Sequence, residues 1–258
     1  MLSPIFLDLL RVSLSLMMLS YASWRDVKTR EISDRIWIIF LTPALGLDFY
    51  EICIGGLNVF QFILSIIFSF VTSFSLAYFG LFGGADFKAF VVLSLLQPVQ
   101  PRFINPLLNV VSGIYSITIF ANSAVSGAYM AVVTLIRNIV LAYEKKSLFE
   151  NDLNVSLPKK LLIMLAGVKM NINKVRGPPF EYPLEIIEGK SRKLVVAYKP
   201  LKDEEAVRVI NELKASGVTE VWVSHTLPYL VFITIGFILS ILLGDIILWT
   251  VKLTLNPR

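Results

Sequence analysis

Long apolar runs alternate with short charged ones along this chain. One uncharged stretch, Ile52 to Ala85, covers 34 residues. Apolar segments fall at about Pro4–Ser23, Ile36–Cys53, Val59–Phe79, Ala121–Tyr143 and Leu227–Val251. Each is near the length that crosses a hydrocarbon core as a helix, about 17–25 residues. Ser33 suits the N-cap of the second segment, and Pro43 predicts a kink within it. Asp48 and Glu51 mark its far end. In the first segment Asp8 and Arg11 stand three apart on one helix face, so they can pair near one interface. Asp86–Gln97 is apolar but too short to span alone. Pro98, Pro101 and Pro106 then interrupt the pattern, which predicts a broken or partly re-entrant stretch over 98–120 on the outer side.

The pattern changes after Tyr143. Of the 24 Lys and Arg residues, 14 lie between Lys145 and Lys214. Lys193–Lys199 reads as a strand, Asp203–Ser216 as an amphipathic helix closed by Gly217, and Thr219–Val223 as a second strand. The expected fold is an all-α polytopic membrane protein of six transmembrane helices with a small α+β cytoplasmic domain. Its divisions are 1–143 (helices one to five), 144–226 (the α+β domain) and 227–258 (helix six and the tail).

Composition agrees. The 258 residues are 55% hydrophobic and 17% charged, against about a quarter charged in soluble domains. Mean hydropathy is +0.71. The net charge of +5 does not call for nucleic acid, because the basic residues sit in connecting segments, where they set orientation. The 25–35 stretch holds four basic residues, Arg25, Lys28, Arg30 and Arg35, and reads as a charged loop on the cytoplasmic side. The first segment lacks a basic start and a small-residue cleavage site, so it reads as a transmembrane helix and not as a removable signal. A single cysteine, Cys53, and a single histidine, His225, exclude a disulfide framework and a Cys-tetrad zinc site. No metal or cofactor is expected.

Two carboxylates carry the candidate chemistry. Asp86 closes the turn Gly83-Gly84-Ala85 at the mouth of an apolar segment, where a charge is costly. Asp26 sits at the end of the first segment. Taken singly, Asp86 is a helix N-cap and Asp26 a solvated loop residue. Taken together, segment parity puts both at one membrane face. Two carboxylates at close range in a partly dry site share one proton. One then acts as base on a water, and the other polarises a scissile carbonyl. The helix dipole at Asp86 favours its ionised form, which makes Asp86 the charged partner and Asp26 the proton holder. Gly83 and Gly84 leave room for an extended peptide. His225 reads as a junction residue. Two other readings fit the same residues: a proton-coupled transporter, or a non-enzymatic platform for pilus or archaellum assembly.

The Gly83-Gly84-Ala85-Asp86 turn is similar to the GxGD motif of intramembrane aspartyl proteases, with Ala85 in the place of the second glycine. Asp26-x-x-x-Arg30-x-Ile32 resembles the first aspartate motif of type IV prepilin peptidases. Tyr182-Pro183-Leu184-Glu185 and Glu220-Val221-Trp222-Val223-Ser224 resemble segments of archaeal preflagellin and prepilin peptidases. The resemblance covers nearly the whole chain. It implies an aspartic endopeptidase of the cell membrane with Asp26 and Asp86 as catalytic residues. It also implies a substrate, the short basic leader of archaellin or type IV pilin-like precursors, cut at the cytoplasmic face. Bacterial relatives carry paired CxxC motifs that one cysteine cannot build. A presenilin-like site would need a Tyr-Asp pair, which the chain lacks.

Overall fold

A computed structural model describes residues 2–145, 149, 156–189, 191–195 and 201–255. Among them the chain forms helices α1 (Pro4–Thr29), α2 (Asp34–Cys53), α3 (Val59–Tyr78), α4 (Gly84–Leu96), α5 (Tyr115–Lys145), α6 (Leu157–Ala166), α7 (Asp203–Ala215), α8 (Tyr229–Leu242) and α9 (Ile246–Leu255). The strands are β1 (Gly167–Asn171), β2 (Glu181–Pro183), β3 (Glu185–Glu188), β4 (Ser191–Leu194) and β5 (Glu220–His225). Two compact units result, one of residues 1–127 with 228–258 and one of residues 128–227. The division falls inside α5.

The first unit is built around its shortest early helix. α4 packs against α1, α2, α3 and α8, and Ala89, Phe90, Leu93 and Leu96 are buried in a core with Met18, Leu19, Ile119, Leu230 and Phe237. α3 is polar inside and apolar outside. Ser65, Ser69 and Ser73 are fully buried while Phe60, Ile63, Ile67, Phe70 and Phe74 are exposed. Water would penalise that arrangement, whereas lipid favours it, and serines spaced by four let a neighbouring helix approach closely. α1, α2, α3 and α5 are each long and apolar enough to cross a membrane, and α8 with α9 adds a fifth crossing if that bent pair counts as one.

Several expectations need correction. The last expected segment is interrupted. α8 and α9 meet at a 55° bend, where Gly244 has φ +92° and a Cβ there would strike the Val110 carbonyl. Fully buried Asp245 secures the break. It accepts from Leu248 N at 2.9 Å, capping α9, and from the Thr118 hydroxyl at 3.0 Å. Residues 97–114 contain no helix, as the prolines predict, but α5 begins at Tyr115 and not near Ala121. Asp8 and Arg11 do not pair with each other. Arg11 binds Asp48 and Glu51, both at 2.8 Å, and Asp8 binds Arg102 at 2.9 Å. Each is paired with residues distant in sequence at the buried end of α4. Ser33 does cap α2, its hydroxyl accepting from Arg35 N, and α2 continues through Pro43.

The second unit holds an antiparallel sheet of order β1-β5-β2 and a separate β3–β4 hairpin. Ile210 and Leu213 of α7 pack on Ile172, Val175, Val221 and Val223. The two segments singled out by sequence lie side by side. Pro183 pairs with Val223, and the Glu185 carboxylate accepts from Trp222 N at 2.8 Å. Burial holds the Glu185 carboxyl above its ordinary range, with the Trp222 N–H opposing. Of the expected strand 193–199, Lys193 and Leu194 belong to β4, and 196–199 lie outside the described residues. Residues 256–258 of the tail do as well.

Candidate active site

Asp26 does not lie in a loop. α1 continues to Thr29 and ends at Arg30, whose backbone is left-handed with φ 57°. Asp26 and Arg30 therefore stand one turn apart. The Arg30 Nη1 lies 3.3 Å from Asp26 Oδ1, and both side chains are about one-seventh exposed. The Arg30 backbone N–H donates to the Asp26 carbonyl at 3.2 Å. The Leu230 backbone N–H, in the first turn of α8, lies near the Asp26 carboxylate. An α8 residue one turn further, Thr234, shares a 2.7 Å hydroxyl–hydroxyl bond with Ser23 of α1. This bond fixes the register of the two helices beside Asp26.

Asp86 is a first-turn residue of α4, and Gly83 is the N-cap. The carboxylate reaches back and accepts from Gly83 N at 2.8 Å. The N-cap reading of Asp86 is thus displaced by three positions, because the carboxylate caps the helix from inside it. A Cβ on Gly83 would sit 3.3 Å from Asp86 Oδ2, while a Cβ on Gly84 would meet nothing within 4 Å. Neither glycine is in the left-handed region, since Gly83 has φ −76° and ψ 163°. The value of Gly83 is the close approach of the carboxylate, and that of Gly84 is open space. Ala85 is half-buried against the core.

Asp86 lies within electrostatic range of Asp26 and of Arg30. Tyr229, the first residue of α8, is in turn within range of Asp86, and its ring packs at a tilt on Phe82, centroids 4.6 Å apart, next to the glycine turn. Lys88 is drawn away from the aspartates to Asp34, at 2.6 Å. Three helices therefore converge here: the end of α1, the start of α4 and the start of α8. The sequence gives little sign of Tyr229 and Leu230. Pro228 marks a helix start, and a helix start leaves backbone donors free. His225 is elsewhere, its Nδ1 3.3 Å from Glu181 at the end of β5. Cys53 is an exposed residue at the end of α2.

A polar cavity of about 580 Å³ lies elsewhere in the first unit, lined by Gly55, Asn58, Gln61, Gln100, Arg102 and Tyr115 and by neither aspartate. Among the described residues no group of three or more His, Cys, Asp or Glu is placed to hold a metal ion. The arrangement can do general acid–base chemistry. It combines two carboxylates, one arginine and backbone donors, half-shielded from water, beside an open glycine backbone.

Comparison with known proteins agrees with that chemistry. Residues 13–132 match the type IV leader peptidase family, and residues 159–246 match the archaeal peptidase A24 C-terminus of type II. The chain is 26% identical over 235 residues to a preflagellin peptidase of Methanococcus maripaludis, covering 88% of this chain and 92% of that one. It is 25% identical to a preflagellin peptidase of Methanocaldococcus jannaschii, covering 87% and 89%. It is 27% identical to one of Methanococcus voltae, covering 92% and 96%. The chain is a peptidase that carries a type IV leader peptidase domain and an archaeal peptidase A24 C-terminal domain.

Proposed function

We propose that this peptidase removes the short basic leader from archaellin or type IV pilin-like precursors at the cytoplasmic membrane face, with Asp26 and Asp86 as its catalytic pair. The carrying observation is that Asp86 lies within electrostatic range of Asp26 although the two come from different helices. Relatives named preflagellin peptidase, matched over most of their length, support the substrate class. In the proposed reaction one carboxylate takes a proton from water as the water oxygen attacks the scissile carbonyl. The other donates its proton to that carbonyl oxygen. Collapse of the tetrahedral species breaks the C–N bond, and the proton taken from water passes to the leaving nitrogen.

The open backbone at Gly84 gives an extended peptide a place to lie against the site. The proposed topology has six crossings, with the α4–114 stretch completing the fourth and α8–α9 the sixth. The four basic residues at 25–35 and the basic 144–226 segment then both face the cytoplasm. The test is cleavage of a tagged archaellin precursor in detergent. Wild type cleaves, and Asp26→Asn and Asp86→Asn each lose cleavage while remaining inserted and monodisperse. Wild-type cleavage by either variant would remove that residue from the pair. A transporter or assembly platform would need no cleavage at all.

A further inference from the structure

The geometry points to a division of labour within the pair: Arg30 holds Asp26 as the ionised base, and Asp86 carries the proton. This inference rests on the proposed function. It also reverses the assignment that the α4 dipole alone suggests.

Both carboxylates meet the positive end of a helix. Asp26 lies near the Leu230 N–H at the start of α8, and Asp86 receives the Gly83 N–H at the start of α4. A helix N-terminus acts as about half a positive charge, so these contributions roughly cancel in the comparison. The guanidinium does not cancel. Arg30 contacts Asp26 at 3.3 Å, whereas it acts on Asp86 only through space. The other nearby cation, Lys88, is engaged by Asp34 at 2.6 Å. The groups facing the pair are thus Arg30 on α1, Tyr229 and the Leu230 N–H on α8, and the Gly83 N–H on α4. A full charge in direct contact decides in favour of ionised Asp26.

The position of Arg30 is itself constrained. A non-glycine residue in left-handed conformation is strained. Here that conformation ends α1 and keeps the arginine one turn from Asp26. Arg30 is a positioning residue. It acts through Asp26, and the proton moves from water to Asp26 and from Asp86 to the carbonyl oxygen.

The test is the pH dependence of kcat/KM for precursor cleavage by wild type, Arg30→Gln, Arg30→Lys and the exposed-charge control Glu31→Gln. The acidic limb reports the base and the basic limb the acid. In Arg30→Gln the acidic limb is expected to move up by about one pH unit and the basic limb by less, so that the bell narrows. At the optimum kcat falls about tenfold while KM stays within about threefold. Arg30→Lys restores most of the limb, and Glu31→Gln leaves both limbs in place. An unmoved bell in Arg30→Gln, or a basic limb that moves at least as far as the acidic one, overturns the assignment. Should Arg30→Gln fail to insert as a monodisperse protein, Arg30→Lys decides. Its shorter ammonium predicts a small upward shift confined to the acidic limb, and a shift of the basic limb or of neither overturns the proposal. If wild type does not cleave, or the Asn variants cleave like wild type, the proposed function fails. If those hold and only the Arg30 result departs, the role assignment alone fails.

Discussion

The two ends of α4 each hold a cluster of charge, and the clusters differ in how deeply they are buried and in how short their ion pairs are. At the C-terminal end, Arg11 is 2% exposed, as are Asp8 and Asp48, and Glu51 is 1% exposed. Arg11 Nη1 also donates to the carbonyls of Leu95 and Leu96, at 3.1 and 3.3 Å. It thereby caps the end of α4. Arg102 binds Asp8 and Glu51 at 2.9 and 2.7 Å. At the N-terminal end, Asp26 has one ion pair at 3.3 Å and is 14% exposed. Asp86 relies on one amide of its own turn. The first cluster is closed, short-bonded and linked to three elements. The second is looser, half-open and adjacent to free space at Gly84. A closed cluster locks helices together, whereas a looser one leaves lone pairs available for water and substrate.

Each prediction tests this contrast. The largest effect is on activity. Asp86→Asn and Asp26→Asn should each lower kcat by at least about 10²–10⁴-fold, the usual worth of an acid or base. Their melting temperatures should hold or rise, because catalytic carboxylates are retained for function rather than for stability. Next comes the opposite outcome at the other end. Arg11→Met leaves Asp48 buried without its partner and Glu51 with Arg102 alone, and should cost on the order of 3–5 kcal/mol. A thermal melt in detergent would show it. If Arg11→Met melted like wild type, the closed cluster would not be the lock described here.

Smaller effects separate the two glycines. Gly83→Ala places a methyl 3.3 Å from Asp86 Oδ2, so the carboxylate must shift by tenths of an ångström. A fall of about tenfold in kcat with little change in KM is expected. Gly84→Ala meets nothing in the resting protein. It should leave the melt unchanged and raise KM if substrate lies along that backbone. The smallest effect is a reference carboxylate in the second unit. Burial raises the Glu185 carboxyl, so the folded form binds its proton more readily than the unfolded chain does. Its contribution to stability is therefore present at low pH and is lost as pH rises through the raised value. Hydrogen exchange of the β5 amides should show protection declining over that range, and Glu185→Gln should flatten the decline.

Much of this was legible in the residues. The apolar segments announced themselves by length, and α7 by its spacing and by Gly217. Asp26 and Asp86 could be nominated because parity put them at one face. Their surroundings could not. The role of α4 as hub depends on helix packing that a 13-residue apolar stretch does not display. The Arg11 and Arg102 pairings join residues 37 to 94 positions apart. The bend at Gly244 was hidden inside a continuous apolar run, although Gly244-Asp245 is a break signal in retrospect. The strands β1, β2 and β3 lacked clear alternation, because short strands of three to five residues give too few positions for a period of two to show.

The most direct test pairs cleavage with stability in two variants. Tagged precursor is incubated in detergent with Asp86→Asn and with Arg11→Met, and both proteins are melted under the same conditions. The account predicts an inactive, stable Asp86→Asn and a destabilised Arg11→Met that still cleaves at temperatures where it remains folded. An Asp86→Asn protein that cleaves at the wild-type rate would contradict it.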